Sequence, residues 1–131
     1  YSWSPYGRLD WPMPNVWFGV SVENQHWADE RIPILLDTPA AIRFVSAEPL
    51  LAPLDLTDYI DCTAGCGIDW LIIGGESGPK HRFFNPAWAR SLVAQADITA
   101  CHIFVKQLGG FRPGNALEEL PEDLRIRQWP R

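Results

Sequence analysis

Residues 70–76 read W-L-I-I-G-G-E, a short apolar run that ends in two glycines and a glutamate. Three other short apolar runs also lead to a charged residue: V-W-F-G-V-S-V at 16–22, I-R-F-V-S-A at 42–47 and I-F-V at 103–105. Continuous rather than alternating runs are typical of strands buried on both faces of a parallel sheet. The charged ends recur about every 25 to 30 residues, which is the length of one strand and one crossover.

Four such βα units in a row predict an α/β fold with a right-handed parallel sheet. A complete (β/α)8 barrel takes about 250 residues, whereas this chain has 131. The sequence therefore predicts half of a TIM-like (β/α) barrel, with a small open sheet as the alternative. A single domain is expected over residues 1–131, because a chain of this size has enough buried surface for one core and too little for two.

The crossovers carry helix signals of different strength. After the first strand, Asn24 is expected to cap a helix at 27–37 that Pro33 breaks or restarts. The pair Asn85–Pro86 is a strong start signal, since an N-cap is followed by proline at the first helical position. A short helix is expected at 54–60.

The two ends of the chain are rich in proline. Residues 1–15 contain three prolines and are predicted to form an extended arm. Four tryptophans fall in the first quarter of the chain and are expected to fasten this arm to the core, with an aromatic surface for a ligand or partner as the alternative: Trp3, Trp11, Trp17 and Trp27. Residues 111–131 are predicted to form an irregular tail with one turn near 116–120. The only methionine is Met13, so we expect that the chain is trimmed or cleaved at its start.

Composition excludes several classes of protein. Apolar residues make up 47% and charged residues 21%, which excludes disorder. The net charge of −5 is unfavourable for general binding to nucleic-acid backbones or anionic membranes, and no apolar run reaches the ~18 residues of a membrane span. Three cysteines form no disulfide framework, which favours a reducing, cytoplasmic setting.

Charged residues end the four predicted strands: Glu23, Glu48, Glu76 and Lys106. Ligands bind at the C-terminal ends of parallel strands in α/β folds. Three carboxylates and an ammonium group on one rim are suited to bind a cation, to position a polar substrate, or to act as acid and base. They are our candidate catalytic residues. The alternative is that these side chains face water or cap neighbouring helices.

The segment after the third strand is the candidate cofactor-binding loop, with Gly74, Gly75, Ser77 and Gly78 as its residues. Glycines allow positive φ and a close backbone approach to a ligand, and Lys80-His81-Arg82 follows. Neither a P-loop nor a dinucleotide-binding glycine pattern is present. A tight strand-to-helix turn is the alternative interpretation.

Metal binding is not predicted. Cys62 and Cys66 have the spacing of a first zinc pair, but no second pair accompanies them.

Five segments resemble a phage- and prophage-associated family known as phage protein Gp thirty-seven/Gp sixty-eight, a domain of unknown function. They are N-V-W-F-G-V-S-V-E-N-Q at 15–25, A-D-E-R-I-P-I-L-L-D-T-P-A-A-I-R-F-V-S-A-E-P-L-L at 28–51, I-D-W-L-I-I-G-G-E-S-G-P at 68–79, F-V-K-Q-L-G-G at 104–110 and L-P-E-D-L-R-I-R-Q-W-P at 120–130. The resemblance covers nearly the whole chain from Pro14 onward.

Such proteins look like radical-SAM enzymes, and this chain resembles only the C-terminal, substrate-side half of their barrel. The resemblance implies an N-terminal three-cysteine motif for an iron–sulfur cluster, which Cys62, Cys66 and Cys101 do not match. The chain by itself is therefore expected to hold no cofactor and to be inactive. S-adenosylmethionine and the cluster enter only if a separate half supplies them.

Three functions remain open at this stage: part of an enzyme, a module that binds a small polar ligand, or an assembly protein. Four open strands leave two unpaired edges and an apolar inner face. Neighbouring residues alternate between the two faces of a strand, so the apolar residues of these runs cannot all point toward the helices: Phe18, Val20, Phe44, Leu71, Ile73 and Phe104. The sequence therefore predicts a homodimer, or a complex with a complementary half-barrel, rather than a monomer.

Overall fold

A computed structural model describes residues 3–4, 7–8, 10–60, 67–111 and 116–130. Two short antiparallel strands come first, β1 (Trp3–Ser4) and β2 (Gly7–Arg8). The main sheet has four parallel strands in the order of the chain: β3 (Trp17–Ser21), β4 (Ile42–Ala47), β5 (Trp70–Gly74) and β6 (His102–Gln107). The predicted parallel α/β arrangement is confirmed.

Helices follow the first three strands of this sheet: α1 (Gln25–Asp37), α2 (Thr57–Ile60) and α3 (Pro86–Ala96). Asn24 and Asn85 cap α1 and α3 as predicted, because their side chains accept hydrogen bonds from the first-turn amides. Pro33 lies inside α1, so the predicted break is wrong. The helix continues because Ile32 and Leu35, on either side of the proline, are held in the core.

The two faces of the sheet differ in chemistry. Val45, Leu71 and Val105 point to the core that the helices cover, and all three are fully buried. The alternate residues of the same strands, Phe44 and Phe104, point to the opposite face. The side of the sheet that no described helix covers, called here the helix-free face, therefore carries aromatic rings.

The tail contributes to the core and to the sheet. Leu120 and Leu124 are buried beside two 3-10 turns, Leu117–Glu119 and Glu122–Leu124. The amide of Val105 donates to the carbonyl of Ile126 at 2.8 Å, and residue 127 pairs with residue 104 in an antiparallel bridge. The expectation of two unpaired edges is corrected, since the tail occupies the outer edge of β6.

Trp11 fastens the N-terminal segment to the sheet. Its indole Nε1 donates to the carbonyl of Pro39 at 2.7 Å, and its ring meets Phe18 edge-on at 5.3 Å. Among the described residues, no helix combines the length and apolar character needed to cross a membrane. Cys62 and Cys66 lie outside the described residues.

Candidate functional site

The parallel register brings the C-terminal ends of β3 to β6 to one edge of the sheet. Glu48 follows β4 directly, while Glu23 and Glu76 each lie two residues beyond the ends of β3 and β5. Lys106 lies inside β6 rather than after it, because that strand continues to Gln107. The four charged residues fall into two groups with different surroundings.

The first group is an ion pair across the sheet. The Nζ of Lys106 on β6 lies 3.0 Å from Oε1 of Glu48, which follows β4, so the pair spans the intervening strand β5. Gly74 makes this possible, because a Cβ atom there would come within 3.1 Å of Cδ of Glu48. About a quarter of the Glu48 side chain and half of the Lys106 side chain remain exposed.

Aromatic rings lie below this pair on the same face of the sheet. Trp70 is the centre of the cluster and meets Phe44 at 5.9 Å and Phe104 at 6.0 Å between ring centroids. Trp129 from the tail lies at 4.7 Å from Trp70 in a tilted arrangement, and the Trp70 indole donates to the carbonyl of Gln128 at 2.9 Å. The pair of Glu48 and Lys106 therefore stands at the rim of an aromatic surface.

The second group contains Glu76, which is held by Arg82. Glu76 Oε1 accepts from the Arg82 amide at 2.8 Å and from its Nε at 3.0 Å, while Oε2 accepts from Nη2 at 2.6 Å. These hydrogen bonds lower the pKa of Glu76 from 4.5 to about 2. So weak a base is poorly suited to take a proton near neutral pH, which favours a positioning role.

The glycine-rich loop is fastened to the segment after β6. The amide of Gly75 donates to the carbonyl of Gln107 at 3.1 Å, and that of Gly78 donates to the carbonyl of Gly110 at 3.1 Å. Gly75 has no room for a side chain, because a Cβ atom would lie 2.2 Å from the backbone nitrogen of Gly109. These two amides are already engaged, and a ligand-binding role for Gly74, Gly75, Ser77 and Gly78 stays a prediction.

Glu23 lines a cleft of about 360 Å³ together with Glu76. Its Oε2 lies 3.5 Å from Nη1 of Arg31 on α1, and the same nitrogen donates to the carbonyl of Ser21 at 2.7 Å. Sequence reasoning missed Arg31, because no motif links it to Glu23. Arg82 was noted only as part of a basic triplet. Its position six residues after Glu76 gave no indication that its guanidinium donates to both carboxylate oxygens of Glu76.

The described residues do not fit an iron–sulfur cluster or another thiolate-bound metal. Cys101 is buried, and its burial raises the pKa of the thiol to about 12, whereas a metal ligand must be a thiolate. Within the described ranges, no group of three or more His, Cys, Asp and Glu residues is arranged to hold a metal ion.

Comparison with known proteins gives one match. A family model described as "Protein of unknown function (DUF5131)" matches residues 2–126. The searches of curated proteins and of solved structures gave no match.

Proposed function

This chain belongs to the DUF5131 family, and we propose that it is the substrate-side half of a phage-associated, radical-SAM-like (β/α) barrel that binds a small polar ligand and is not catalytic alone. The observation that most strongly supports this proposal is the ion pair of Glu48 and Lys106. It stands at the C-terminal end of parallel strands, which is where α/β folds bind their ligands.

The helix-free face supports the half-barrel proposal. In a barrel this face is turned inward and is filled by side chains. Here the inward positions carry Phe44, Trp70 and Phe104 below the charged pair. A polar ligand can bind above the rings and replace one partner of the ion pair. Its apolar part can then pack on the aromatic surface.

Radical chemistry is assigned to a separate half, because the described residues do not fit the cluster. Cys101 is a buried, protonated thiol, and Cys62 and Cys66 do not match the motif that the family resemblance implies. S-adenosylmethionine and the cluster would therefore be supplied by another polypeptide or segment. The free thiol of Cys101 supports the proposed cytoplasmic location.

An assembly role is the second candidate, and the aromatic face favours it. Trp17 and Trp129 keep 36% and 58% of their surface exposed beside the buried Trp70. Such surface is typical of protein interfaces. We propose that a second copy or a complementary half-barrel covers it.

Ligand-dependent thermal unfolding tests the binding proposal, with citrate and inorganic phosphate as probes. We expect at least one probe to raise the Tm of the wild type, since a ligand that binds only the native state stabilises it. The rise should disappear in Lys106→Met and remain in Lys80→Met, which removes an exposed charge elsewhere. Equal rises in both variants, or no rise with any probe, would contradict the proposal.

Anaerobic reconstitution with iron and sulfide tests the assignment of the cluster to another half. We expect a colourless, iron-free chain, because a cluster needs thiolates. A stoichiometric cluster with a visible absorption band would show that the chain carries its own site.

A further inference from the structure

We propose that the cleft beside Glu23 is a second binding site, specific for a small zwitterion of the α-amino-acid type with an apolar side chain. The cleft measures about 360 Å³ and lies between the ends of β3 and β5. Its main lining residues come from α1 and three loops: Glu23, Trp27, Arg31, Leu51, Glu76 and Arg82. It does not include Glu48 or Lys106, so it is independent of the function proposed above.

The charges in this cleft alternate. Nη1 of Arg31 lies 3.5 Å from Oε2 of Glu23, and the guanidinium of Arg82 donates to both carboxylate oxygens of Glu76. The hydrogen bond to Glu76 is the main reason why the pKa of the Arg82 guanidinium is raised, and the negative charge of Glu23 adds to this. The order Arg31, Glu23, Arg82, Glu76 gives two positive and two negative groups with no net charge.

Two groups in this array retain unused bonding capacity. Glu76 is occupied at both carboxylate oxygens by Arg82, whereas the carboxylate of Glu23 has no partner within the described part of the chain beyond its 3.5 Å ion pair with Arg31. Arg82 uses Nε and Nη2 on Glu76, and its side chain is 61% exposed. Its Nη1 has no hydrogen-bond partner among the described residues. One free acceptor and one free donor therefore line the same cleft.

Charge complementarity selects the class of ligand. A lone anion on Arg82 would face the carboxylate of Glu23, and a lone cation on Glu23 would face two guanidinium groups. A zwitterion satisfies both, with its ammonium on Glu23 and its carboxylate on Arg82. The volume is near the lower end of the range for ligand sites, about 300–1,000 Å³, which suits a molecule of amino-acid size.

The remaining walls select an apolar side chain. Leu51 and Pro49 supply aliphatic surface, and Trp27 supplies an aromatic ring. The guanidinium of Arg31 already lies 4.3 Å from the centre of that ring, so it closes one face of the indole. Trp27 as a whole residue is 40% exposed, which leaves surface for apolar contact.

NMR titration of the Trp27 indole resonance tests the proposal with L-leucine as the probe. Two analogues are matched controls: 4-methylpentanoate lacks the ammonium group, and 3-methylbutylamine lacks the carboxylate. We expect saturable binding of leucine with a Kd of about 1 mM. Each analogue should bind at least about tenfold more weakly, because it leaves one charged group of the cleft unpaired.

Variants assign the effect to the cleft. Glu23→Gln removes the free carboxylate and should weaken leucine binding at least about tenfold, while Glu30→Gln on the exposed side of α1 should leave it unchanged. Equal binding of leucine and both analogues, or no saturable shift with leucine, would overturn the proposal. Lys106→Met should not alter leucine binding, so this result and the test of the ion pair are separable.

Discussion

Gly74 and Gly75 are neighbours, yet a side chain would meet different atoms at each. At Gly74 the nearest atoms belong to the flexible side chain of Glu48, at 3.1 to 3.3 Å. At Gly75 they belong to the backbone of Gly109, at 2.2 and 2.5 Å. A side chain can turn away, whereas the backbone of a fastened loop cannot. The missing side chain at Gly74 therefore leaves room for the ion pair of Glu48 and Lys106, whereas the missing side chain at Gly75 lets the loop after β6 pack closely against the segment after β5.

Alanine substitution separates these two roles. Gly75→Ala should lower the free energy of unfolding by about 2–4 kcal/mol, because the loop after β6 must shift. Gly74→Ala should cost less than about 1 kcal/mol but displace Glu48 from Lys106 and abolish stabilisation by the probes of the ion-pair site. Denaturant unfolding with and without those probes measures both effects. Equal costs at the two positions would contradict this assignment.

Glu76 should make stability depend on pH through its bond to Arg82. Its pKa in the folded chain is about 2, below the ordinary 4.5, so the stabilisation is fully present above about pH 4.5 and is lost as the pH falls toward 2. Above pH 5, we expect Glu76→Gln to lower the urea midpoint only slightly, since the ion pair of Glu76 and Arg82 is exposed. The difference from wild type should vanish near pH 2.

The matched control for this titration is the Arg82→Gln background. Glu76→Gln should have no pH-dependent effect there, because the partner that lowers the pKa is gone. A difference between wild type and Glu76→Gln that is the same at pH 7 and pH 2 would show that shape, rather than charge, is responsible.

At the scale of the element, α1 shows packing overriding a local signal. Pro33 has no amide hydrogen, so the carbonyl of Asp29 loses its helical partner. The helix nevertheless runs from Gln25 to Asp37, since Ala28, Ile32 and Leu35 are buried along one side of it. Burial of these residues outweighs the missing hydrogen bond.

Replacing Pro33 should therefore stabilise the chain. Pro33→Ala restores the amide on an exposed face and should raise the free energy of unfolding by about 1–3 kcal/mol, with part of the gain offset by the more flexible unfolded state. Glu30→Ala on the same helix should change it by less than about 0.5 kcal/mol. Denaturant unfolding decides the prediction, and a loss of stability in Pro33→Ala would contradict it.

At the scale of the whole molecule, the two edge strands of the sheet, β3 and β6, differ in whether another segment of the chain pairs with them. Residues 126–128 pair with β6 and occupy its outer side. On the other side β3 has no second neighbour among the described residues. An added strand or a second copy can therefore join at β3, next to the exposed ring of Trp17.

We expect the chain to associate through β3 and the aromatic face. Light scattering at micromolar concentration should give about twice the monomer mass of 14.8 kDa, with a total buried area on the order of 2,000 Å². Trp17→Lys should shift the protein toward monomer, whereas Ile98→Lys, at an 88% exposed site in the connection between α3 and β6, should not. A wild-type mass near 14.8 kDa would show that arm and tail suffice to cover the sheet.

The four strands and the two capped helices could be predicted without the structure. Continuous apolar runs such as 70–74 and caps such as Asn24 and Asn85 act through neighbours in the chain, so their signals are local. The placement of charged residues at one sheet edge followed from the same repeat, because parallel strands share their direction.

Which charged residues meet depends on how the elements pack and could not be predicted from the sequence. Lys106 reaches Glu48 across 58 positions of sequence, since Glu48 lies over Gly74 and Lys106 lies on the neighbouring strand β6 where its register with β5 shifts. Arg31 joins Glu23 through the docking of α1 on the sheet, and residues 126–128 close β6 through backbone hydrogen bonds that any sequence can form. Such contacts depend on where whole elements pack, and no local pattern of residues encodes that.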